Sequence, residues 1–346
     1  MRPEPASRWP KGDPPEVVCL GESMSMLTAV PSRPLRDRPS LEMYVGGAES
    51  NVACGLAHLG HNVEWLSRVG VDPLGAGIVD FLKSRRVGTA QVSHDPSRQT
   101  GVYFKDSADQ QTTVYYYRSG SAASAMSRSS LEAQSLAGVR LLHLSGITAA
   151  LSSSCDALMQ SLVVERRHGA QTVSFDVNYR PGLWTAAQAA PRLLELANAA
   201  DVVVVGRDEA ETLWGIQTPE DVRGLLPQVP QLVVKDNDVG ATCFSDEGTA
   251  FQPALKVRVV EPVGAGDAFA AGFLSGLLGG LTADRRLRNG HVLAALTLQH
   301  VSDLPSLPER RLIESWSQME GKEWAELDLD RATEELHENV SRGLSP

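Results

Sequence analysis

EPVGAGDAFAAGF occupies residues 261–273, immediately after a β-prone run that ends at Val260. Two glycines flank one alanine, an acid follows, and a run of small apolar residues predicts a helix. Glycines at a helix start let backbone N–H groups approach an anion, which the helix dipole also favours. Asp267 falls in the first helical turn, where a carboxylate can take a proton from a substrate hydroxyl. The stretch therefore fits phosphoryl transfer to an alcohol, but an ordinary helix start with Asp267 as a capping acid explains the same residues.

The composition is that of a globular protein and argues against some classes of partner. The chain has 346 residues, of which 42% are hydrophobic and 21% charged, enough for one large α/β domain with a smaller addition. Its net charge of −10 argues against nucleic-acid binding, and it has no apolar run of membrane-spanning length. The four scattered cysteines lack metal-binding spacing and predict a reduced, cytoplasmic protein. Residues 1–15 predict a flexible leader rather than a signal peptide.

Alternating strand and helix patterns indicate the fold class. Short apolar runs, such as those in 16–22 and 201–206, predict buried parallel strands with helices between them. This alternation predicts a mainly parallel sheet covered by helices. It is interrupted by two β-prone runs, 100–105 and 112–118, that are joined by a polar turn and predict an antiparallel hairpin.

A glycine turn before the first long helix is the earliest candidate binding site. Gly46 and Gly47 predict a turn, and Ser50 or Asn51 can cap the helix that follows until Gly60 ends it. A polar glycine turn that leads into a packed helix fits a ligand site. An ordinary strand–turn–helix unit predicts the same pattern.

Tyrosine and arginine side chains concentrate in the hairpin and at a later strand end. Alternation places Tyr116 and Arg118 on one face, and a tyrosine hydroxyl beside a guanidinium fits a carboxylate or polyol. Aromatic packing across the strands explains the same tyrosines. Asp176, Asn178 and Arg180 follow one another at spacings of two where a parallel strand ends, which is where side chains reach the ligand crevice of an open α/β sheet. Arg180 is therefore either an anion ligand or a surface arginine.

Two charged segments complete the chain. Residues 207–211 form an acid-rich helical turn that can hold Mg²⁺ through water or can simply compensate the helix dipole. Residues 306–346 are strongly charged with sparse apolar positions, and they predict a helical tail that is only marginally packed.

Taken in order, these features resemble the ribokinase-like (PfkB) family of carbohydrate kinases over residues 16–305. The late signature at 262–273 is highly specific, and residues 46–60 match the early glycine signature. The segments that resemble the 2-keto-3-deoxygluconate kinases of this family are VYYYRSGSAAS (114–124), LHLSGITA (142–149) and DVNYRPGLW (176–184). The resemblance implies a three-layer α/β/α sandwich with a mainly parallel central sheet. It also implies a small β-sheet lid with strands within 24–45 and 98–119.

The resemblance implies roles for particular residues. Asp267 is then the base that deprotonates the primary hydroxyl of the sugar. The anion hole around the γ-phosphoryl group consists of Gly264, Ala265 and Gly266. The residues implied around the sugar acid are Gly46, Gly47, Asn51, Tyr103, Tyr116, Arg118 and Arg180, with the arginines near its carboxylate. The residues implied on the nucleotide side are Lys235, Asn237, Gly240, Gly264 and Gly266, with Glu209 holding a metal through water. The implied cofactors are ATP and Mg²⁺, to which a monovalent cation such as K⁺ can be added, and the implied assembly is a dimer through the lid.

Three segments depart from the family pattern, all on the nucleotide side. Gly206 stands where the Asn-x-x-Glu motif of the family has asparagine, while Glu209 is retained. Asn237 replaces the first glycine of the Lys-x-Gly-x-x-Gly turn, which survives if Asn237 adopts a positive φ. Residues 300–303 lack the glycine-rich stretch that the family has near the nucleotide.

The leading hypothesis is an ATP-dependent kinase that phosphorylates the 6-hydroxyl of 2-keto-3-deoxygluconate or of its galacto epimer. A fructokinase or another sugar kinase of the same fold is the alternative within this class, although a neutral sugar leaves Arg118 and Arg180 without an anion to bind. A sugar-acid-binding protein with a degraded nucleotide site is the alternative from another class. A dinucleotide-dependent oxidoreductase is disfavoured because Gly21-Glu22-Ser23 stands where its glycine fingerprint is required.

Overall fold

A computed structural model of the chain describes residues 14–108, 111–132, 136–166 and 169–334. Nearly all of the predicted leader, and residues 335–346 of the predicted tail, lie outside these ranges. Within them, no helix is both long enough and apolar enough to cross a membrane.

The strands and helices are numbered in chain order. The strands found in the described residues are β1 (Val17–Leu20), β2 (Met24–Ala29), β3 (Leu41–Gly46), β4 (Val63–Leu66), β5 (Arg68–Gly70), β6 (Ser93–Asp95), β7 (Val102–Ala108), β8 (Gln111–Tyr117), β9 (Leu141–Ser145), β10 (Thr172–Asp176), β11 (Val202–Gly206), β12 (Gln231–Asp236), β13 (Gly240–Ser245) and β14 (Gly248–Pro253). The α-helices found there are α1 (Ala48–His58), α2 (Pro73–Ser84), α3 (Arg128–Glu132), α4 (Gly146–Ala150), α5 (Ser153–Met159), α6 (Ala186–Ala199), α7 (Arg207–Trp214), α8 (Pro219–Leu225), α9 (Ala265–Leu278), α10 (Ala283–Leu298), α11 (Arg310–Gln318) and α12 (Gly321–Ala325).

The large sheet has eight strands in the spatial order β14-β13-β12-β11-β10-β9-β1-β4. The six strands from β4 to β12 in this order run parallel, and β13 and β14 are antiparallel at one edge. The mainly parallel sheet is therefore confirmed. The strand order reverses direction between β1 and β9, and in open α/β sheets ligands bind beside the carboxyl ends of strands at such a point.

The small sheet has four strands in the order β3-β2-β7-β8. Strands β7 and β8 form the predicted antiparallel hairpin, and β7 pairs parallel with β2. One face of the sheet packs on the rest of the protein through the buried side chains of Met24, Met26 and Tyr103. Other side chains are exposed, among them Met43 at 60% and Tyr117 at 67%.

Two apolar layers lie on opposite faces of the large sheet. Alternate residues of β1 divide between them, because Val17 and Cys19 join one layer while Val18 and Leu20 join the other. Helices α1, α2, α9 and α10 cover the first face, and α5, α6, α7 and α8 cover the second. This is the predicted three-layer α/β/α arrangement.

The C-terminal helices are part of the first layer. Ile313 and Trp316 of α11 and Trp324 of α12 are at most 5% exposed and join the core cluster of α9 and α10. The indole N–H of Trp324 also donates to the carbonyl oxygen of Pro253, at 3.3 Å. The prediction of marginal packing was therefore wrong for this region. Its few apolar residues lie together on one side, and that side is buried.

Candidate active site

Asp267 lies in the first turn of α9, which starts directly after Gly264. Gly264 has a φ of +91°, a left-handed conformation that strongly favours glycine. The side chain of Asp267 is partly accessible, and its Oδ2 accepts a hydrogen bond from Asn51 Nδ2 at 2.8 Å. The pKa of Asp267 is raised to about 7, chiefly by burial and also by Asp176, whereas Asn51, Arg180 and Lys235 act in the opposite direction. A carboxyl group with a pKa near neutrality is well matched to general-base catalysis.

The loop before α9 carries backbone N–H groups and has a cation beside it. A Cβ atom on Gly266 would lie 3.3 Å from Lys235 Nζ, so the ammonium group lies against the loop. Burial lowers the pKa of Lys235, but Asp176, Glu209 and Asp267 outweigh burial and raise the pKa above its usual value. Lys235 therefore carries a positive charge at the helix N-terminus, which is the arrangement expected for binding a phosphoryl group.

Asp176 ends β10 and lies next to Lys235, the fifth residue of β12. Its Oδ2 is 3.4 Å from Lys235 Nζ, and its Oδ1 is buried without a hydrogen-bond partner among the described residues. Asn51 Oδ1 is unpartnered in the same sense. These two buried acceptors near the predicted base can accept hydrogen bonds from a hydroxylated or hydrated ligand.

Glu209 stabilises the polypeptide chain where β11 meets α7. Its Oε2 accepts the N–H of Gly206, and its Oε1 accepts the N–H of Tyr179, both at 2.8 Å. Burial raises the pKa of Glu209, Lys235 lowers it, and Asp176 raises it. The described residues contain no group of three or more His, Cys, Asp or Glu that could hold a metal directly. The nearby carboxylates of Asp176 and Glu209 are compatible with Mg²⁺ held mainly through its own water molecules.

The early glycine turn places Asn51 against the base. Helix α1 starts at Ala48 with Gly47 as its N-cap residue, so the prediction that Ser50 or Asn51 caps the helix was wrong. Ser50 Oγ instead donates to Gly47 O and Ser23 Oγ, and Asn51 donates to Asp267. A Cβ on Gly47 would lie 2.4 Å from the backbone oxygen of Glu22, so this position requires glycine for close packing.

Tyr103 and Asp303 form a contact that the sequence did not predict. The hydroxyl of Tyr103 donates to Asp303 Oδ2 at 2.9 Å, and both residues are buried. A Cβ on Gly46 would lie 2.0 Å from this hydroxyl, so Gly46 packs directly against it. Burial, followed by Asp303, raises the pKa of Tyr103. Asp303 lies in the segment that lacks the glycines of the family pattern, and no local sequence pattern links this segment to β7.

Arg118 and Tyr116 are neighbours on the small sheet, as predicted from alternation. The guanidinium of Arg118 lies 5.6 Å from the centre of the Tyr116 ring, and Tyr116 is 44% exposed. Arg118 itself is buried and donates from Nε to Glu22 Oε2 at 2.6 Å. Glu22 thus neutralises much of the charge that was predicted to meet a substrate carboxylate.

Arg180 is the predicted anion ligand that remains available. Strand β10 ends at Asp176, and Asn178 has a φ of +39°, so the three polar residues do not continue along one strand face. The side chain of Arg180 is exposed and donates only to the carbonyl oxygen of Tyr179 among the described residues. It is close enough to lower the pKa of both Asp267 and Glu209.

The predicted nucleotide turn keeps its geometry despite the substitution of its first glycine. Asn237 has a φ of +43°, the left-handed conformation that the turn requires when asparagine replaces glycine there. Gly240 begins β13, and a Cβ there would lie 2.3 Å from the backbone oxygen of Gln252. The turn therefore packs close to β14 at Gly240, and any larger residue at this position would push the backbone of β14 away.

The chain is similar in sequence and in fold to known carbohydrate kinases. The model of the "pfkB family carbohydrate kinase" matches residues 14–310. A 2-dehydro-3-deoxygluconokinase of Bacillus subtilis (strain 168) is 34% identical over 307 residues, covering 87% of this chain and 95% of that protein. The crystal structure of a 2-dehydro-3-deoxygluconokinase from Thermotoga maritima has a TM-score of 0.80 at 25% identity, covering 88% of this chain and 99% of that chain. An E. coli ribokinase II in complex with ATP and Mg²⁺ shares the fold, with a TM-score of 0.77 at 22% identity, covering 87% of this chain and 98% of that chain.

Proposed function

Because the chain belongs to the pfkB family of carbohydrate kinases, we propose that it transfers the γ-phosphoryl group of ATP to the 6-hydroxyl of 2-keto-3-deoxygluconate. Family membership makes it a sugar kinase that phosphorylates a hydroxyl group. The observation that carries the choice of an acidic sugar is Arg180, an exposed guanidinium close enough to the base to change its pKa. The Bacillus subtilis relative is named for the same substrate, since 2-dehydro and 2-keto are synonyms.

Asp267 is the proposed general base. Its pKa, raised to about 7, gives the carboxylate the basicity to accept the hydroxyl proton near neutral pH. Asn51 holds Oδ2 at 2.8 Å, which fixes the carboxylate while the sugar oxygen attacks the γ-phosphorus. The bond from the γ-phosphorus to the bridging oxygen breaks as the new bond forms, and ADP leaves.

The backbone N–H groups of Gly264, Ala265 and Gly266, with the ammonium of Lys235, are the proposed anion hole. They stabilise charge that builds on the transferring group, and they need no rearrangement because the loop and Lys235 are already in contact. Bound Mg²⁺ neutralises phosphate charge in such reactions. Asp176 and Glu209 are the residues that would hold it, through water.

The alternative function within the family is phosphorylation of a neutral sugar such as fructose. The test is a panel of 2-keto-3-deoxygluconate, its galacto epimer, fructose and ribose, each with ATP and Mg²⁺, in which ADP release is measured. We expect the highest kcat/KM for one of the two keto-deoxy acids. Turnover of fructose or ribose without turnover of either acid would contradict the proposal.

A binding protein without catalysis is the alternative from another class, because Gly206 and Asn237 depart from the family motifs. The retained geometry of the Asn237 turn and the contact of Lys235 with Gly266 favour a working nucleotide site. Calorimetric titration with ATP and Mg²⁺ separates the two functions. Binding of the sugar acid without any nucleotide binding would support the non-catalytic alternative.

We also propose that the small sheet is a lid through which two copies associate. Its exposed apolar side chains include Met43, Tyr115 and Tyr117, which a second copy can cover. Sedimentation of the wild type and of Met43→Asp/Tyr117→Asp tests this proposal. A monomeric wild type, or a double variant that remains dimeric, would contradict it.

The proposed enzyme is a cytoplasmic protein with a kinase domain at 16–305 and an appended segment at 306–346. All four cysteines are unpaired and buried, as expected in a reducing compartment. The appended segment packs on the kinase domain through α11 and α12 rather than standing apart from it.

A further inference from the structure

We propose that Lys105 is a positioning residue whose buried ammonium group links the small sheet to the shape of the anion hole. Lys105 lies in β7 of the small sheet, and its side chain is 0% exposed. Completely buried lysines are rare unless their charge is paired, because taking an ammonium group out of water is costly. The proposal rests on the sugar-kinase activity of the family and not on the identity of the sugar.

The ammonium of Lys105 lies between two carboxylates that belong to segments outside the small sheet. Its Nζ is 2.7 Å from Asp303 Oδ1 and 3.7 Å from Glu261 Oε2. The other oxygen of Asp303 accepts the hydroxyl of Tyr103, two residues earlier on the same face of β7. The small sheet therefore supplies the donors for both oxygens of Asp303.

Glu261 and Asp303 also contact the loop before α9 that forms the proposed anion hole. Glu261 Oε1 accepts the N–H of Val263 at 3.1 Å, immediately before the loop. A Cβ on Gly264 would lie 3.0 Å from the Cα atom of Asp303, so the backbone of Asp303 packs directly against the loop. Because Glu261 and Asp303 contact the loop in this way, interactions that fix these two side chains also help to fix the position of Gly264.

Moving the small sheet away would withdraw the ammonium group that lies within 3.7 Å of both carboxylates, together with the hydroxyl of Tyr103. Both carboxylates would then lose an electrostatic attraction that holds them where they contact the loop. The loop consequently reaches its present shape when β7 is in place, which joins assembly of the anion hole to closure of the small sheet. The amino group of Lys105 also occupies the position between the acids where a free monovalent cation would otherwise be attracted.

The first test uses the wild-type protein with tetramethylammonium as the only other monovalent cation. It is assayed with any sugar that the substrate panel shows to be phosphorylated, so an error in the assigned sugar acid leaves the test intact. We expect kcat to change less than twofold when 100 mM K⁺ or NH₄⁺ is added. An increase of tenfold or more would overturn the proposal, because a free cation would then perform the role assigned to Lys105.

The second test replaces the ammonium with a neutral group of similar length, Lys105→Met, with the exposed Lys83→Met as matched control. We expect kcat to fall at least tenfold, the calorimetric affinity for ATP to change less than threefold, and NH₄⁺ to restore much of the activity while tetramethylammonium does not. Lys83→Met should resemble the wild type. Unchanged kcat in Lys105→Met, or a loss that NH₄⁺ does not reverse, would refute the proposed role.

A double variant keeps the proposal testable if Lys105→Met fails to fold. In Lys105→Met/Asp303→Asn the cation and one of its carboxylates are removed together, which relieves the uncompensated charge. The new amide oxygen can still accept the Tyr103 hydroxyl, while Glu261 loses the neighbouring ammonium group. We expect kcat to stay at least tenfold below that of the wild type, and a double variant with wild-type kcat would overturn the proposal.

Discussion

Replacing Asp267 with asparagine should greatly slow catalysis and at the same time stabilise the folded protein at high pH. The amide keeps the shape of the side chain and can still accept the hydrogen bond from Asn51, but it cannot accept a proton. Loss of a general base typically costs 10²- to 10⁴-fold in rate, so we expect kcat to fall by about three orders of magnitude. ATP binding should be retained, because the base acts in the transition state.

The gain in stability follows from the pKa of Asp267. Burial raises this pKa from 3.8 to about 7 in the folded protein. The folded state therefore holds a proton more tightly than the unfolded state, and the charged carboxylate is unfavourable above pH 7. A difference of about three pH units corresponds to about 4 kcal/mol, which screening of the partly accessible side chain reduces to about 2 kcal/mol. This cost is fully present above pH 7 and disappears as the pH falls towards 4.

Urea denaturation of wild type and Asp267→Asn at pH 5, 7 and 8.5 measures this effect. The variant should be more stable by about 2 kcal/mol at pH 8.5, with the difference decreasing steadily towards pH 5. Asp284→Asn is the control, because it removes an exposed carboxylate from the first turn of α10 and should give no such gain. A difference that does not vary with pH, or a variant that is less stable at pH 8.5, would refute the assignment of a raised pKa to Asp267.

Three further predictions concern the substrate, the base and the C-terminal segment. Arg180→Gln should lower kcat/KM for the sugar acid about 10- to 100-fold by removing a charged hydrogen-bond donor, and an equal loss with a neutral sugar would show that it does not bind the carboxylate. Asn51→Leu should move the acidic limb of the kcat/KM profile above pH 7, since the Asn51 hydrogen bond lowers the pKa of Asp267; an unshifted limb would contradict this. Trp324→Ala should lower the free energy of unfolding by about 3 kcal/mol, whereas the exposed Lys322→Ala should change it by less than about 0.5 kcal/mol, as measured by urea denaturation.

Local patterns were sufficient to predict a mainly parallel sheet covered by helices, and the family resemblance supplied the three-layer arrangement. The buried strands of the large sheet are short apolar runs, and each run is decided by neighbouring residues in the sequence. The hairpin of β7 and β8 was predicted correctly for the same reason, and Asn237 has the positive φ on which the survival of its turn depended. The cap of α1 was not predicted correctly, since Ser50 and Asn51 are drawn to partners outside the helix.

The polar contacts of the candidate site were largely beyond the reach of the sequence. Lys105 and Asp303 are 198 residues apart, and neither belongs to a pattern that indicates the other. Arg118 was expected to meet a substrate, but its partner Glu22 lies 96 residues earlier, directly after β1. Such pairs form because the fold brings two distant elements together, and a single sequence has no local pattern that predicts which distant elements will be in contact. The resemblance to a family supplied the position of the base but not the residues that hold it.

The packing of Trp324 has a consequence for how the chain is made. The family model ends at residue 310, yet α10 is covered partly by Ile313, Trp316 and Trp324, which are synthesised later. During translation, the apolar face of α10 has no partner until these residues have emerged from the ribosome. A nascent chain that already contains every residue of the candidate site therefore still exposes an apolar surface prone to aggregation, until α11 and α12 have also emerged.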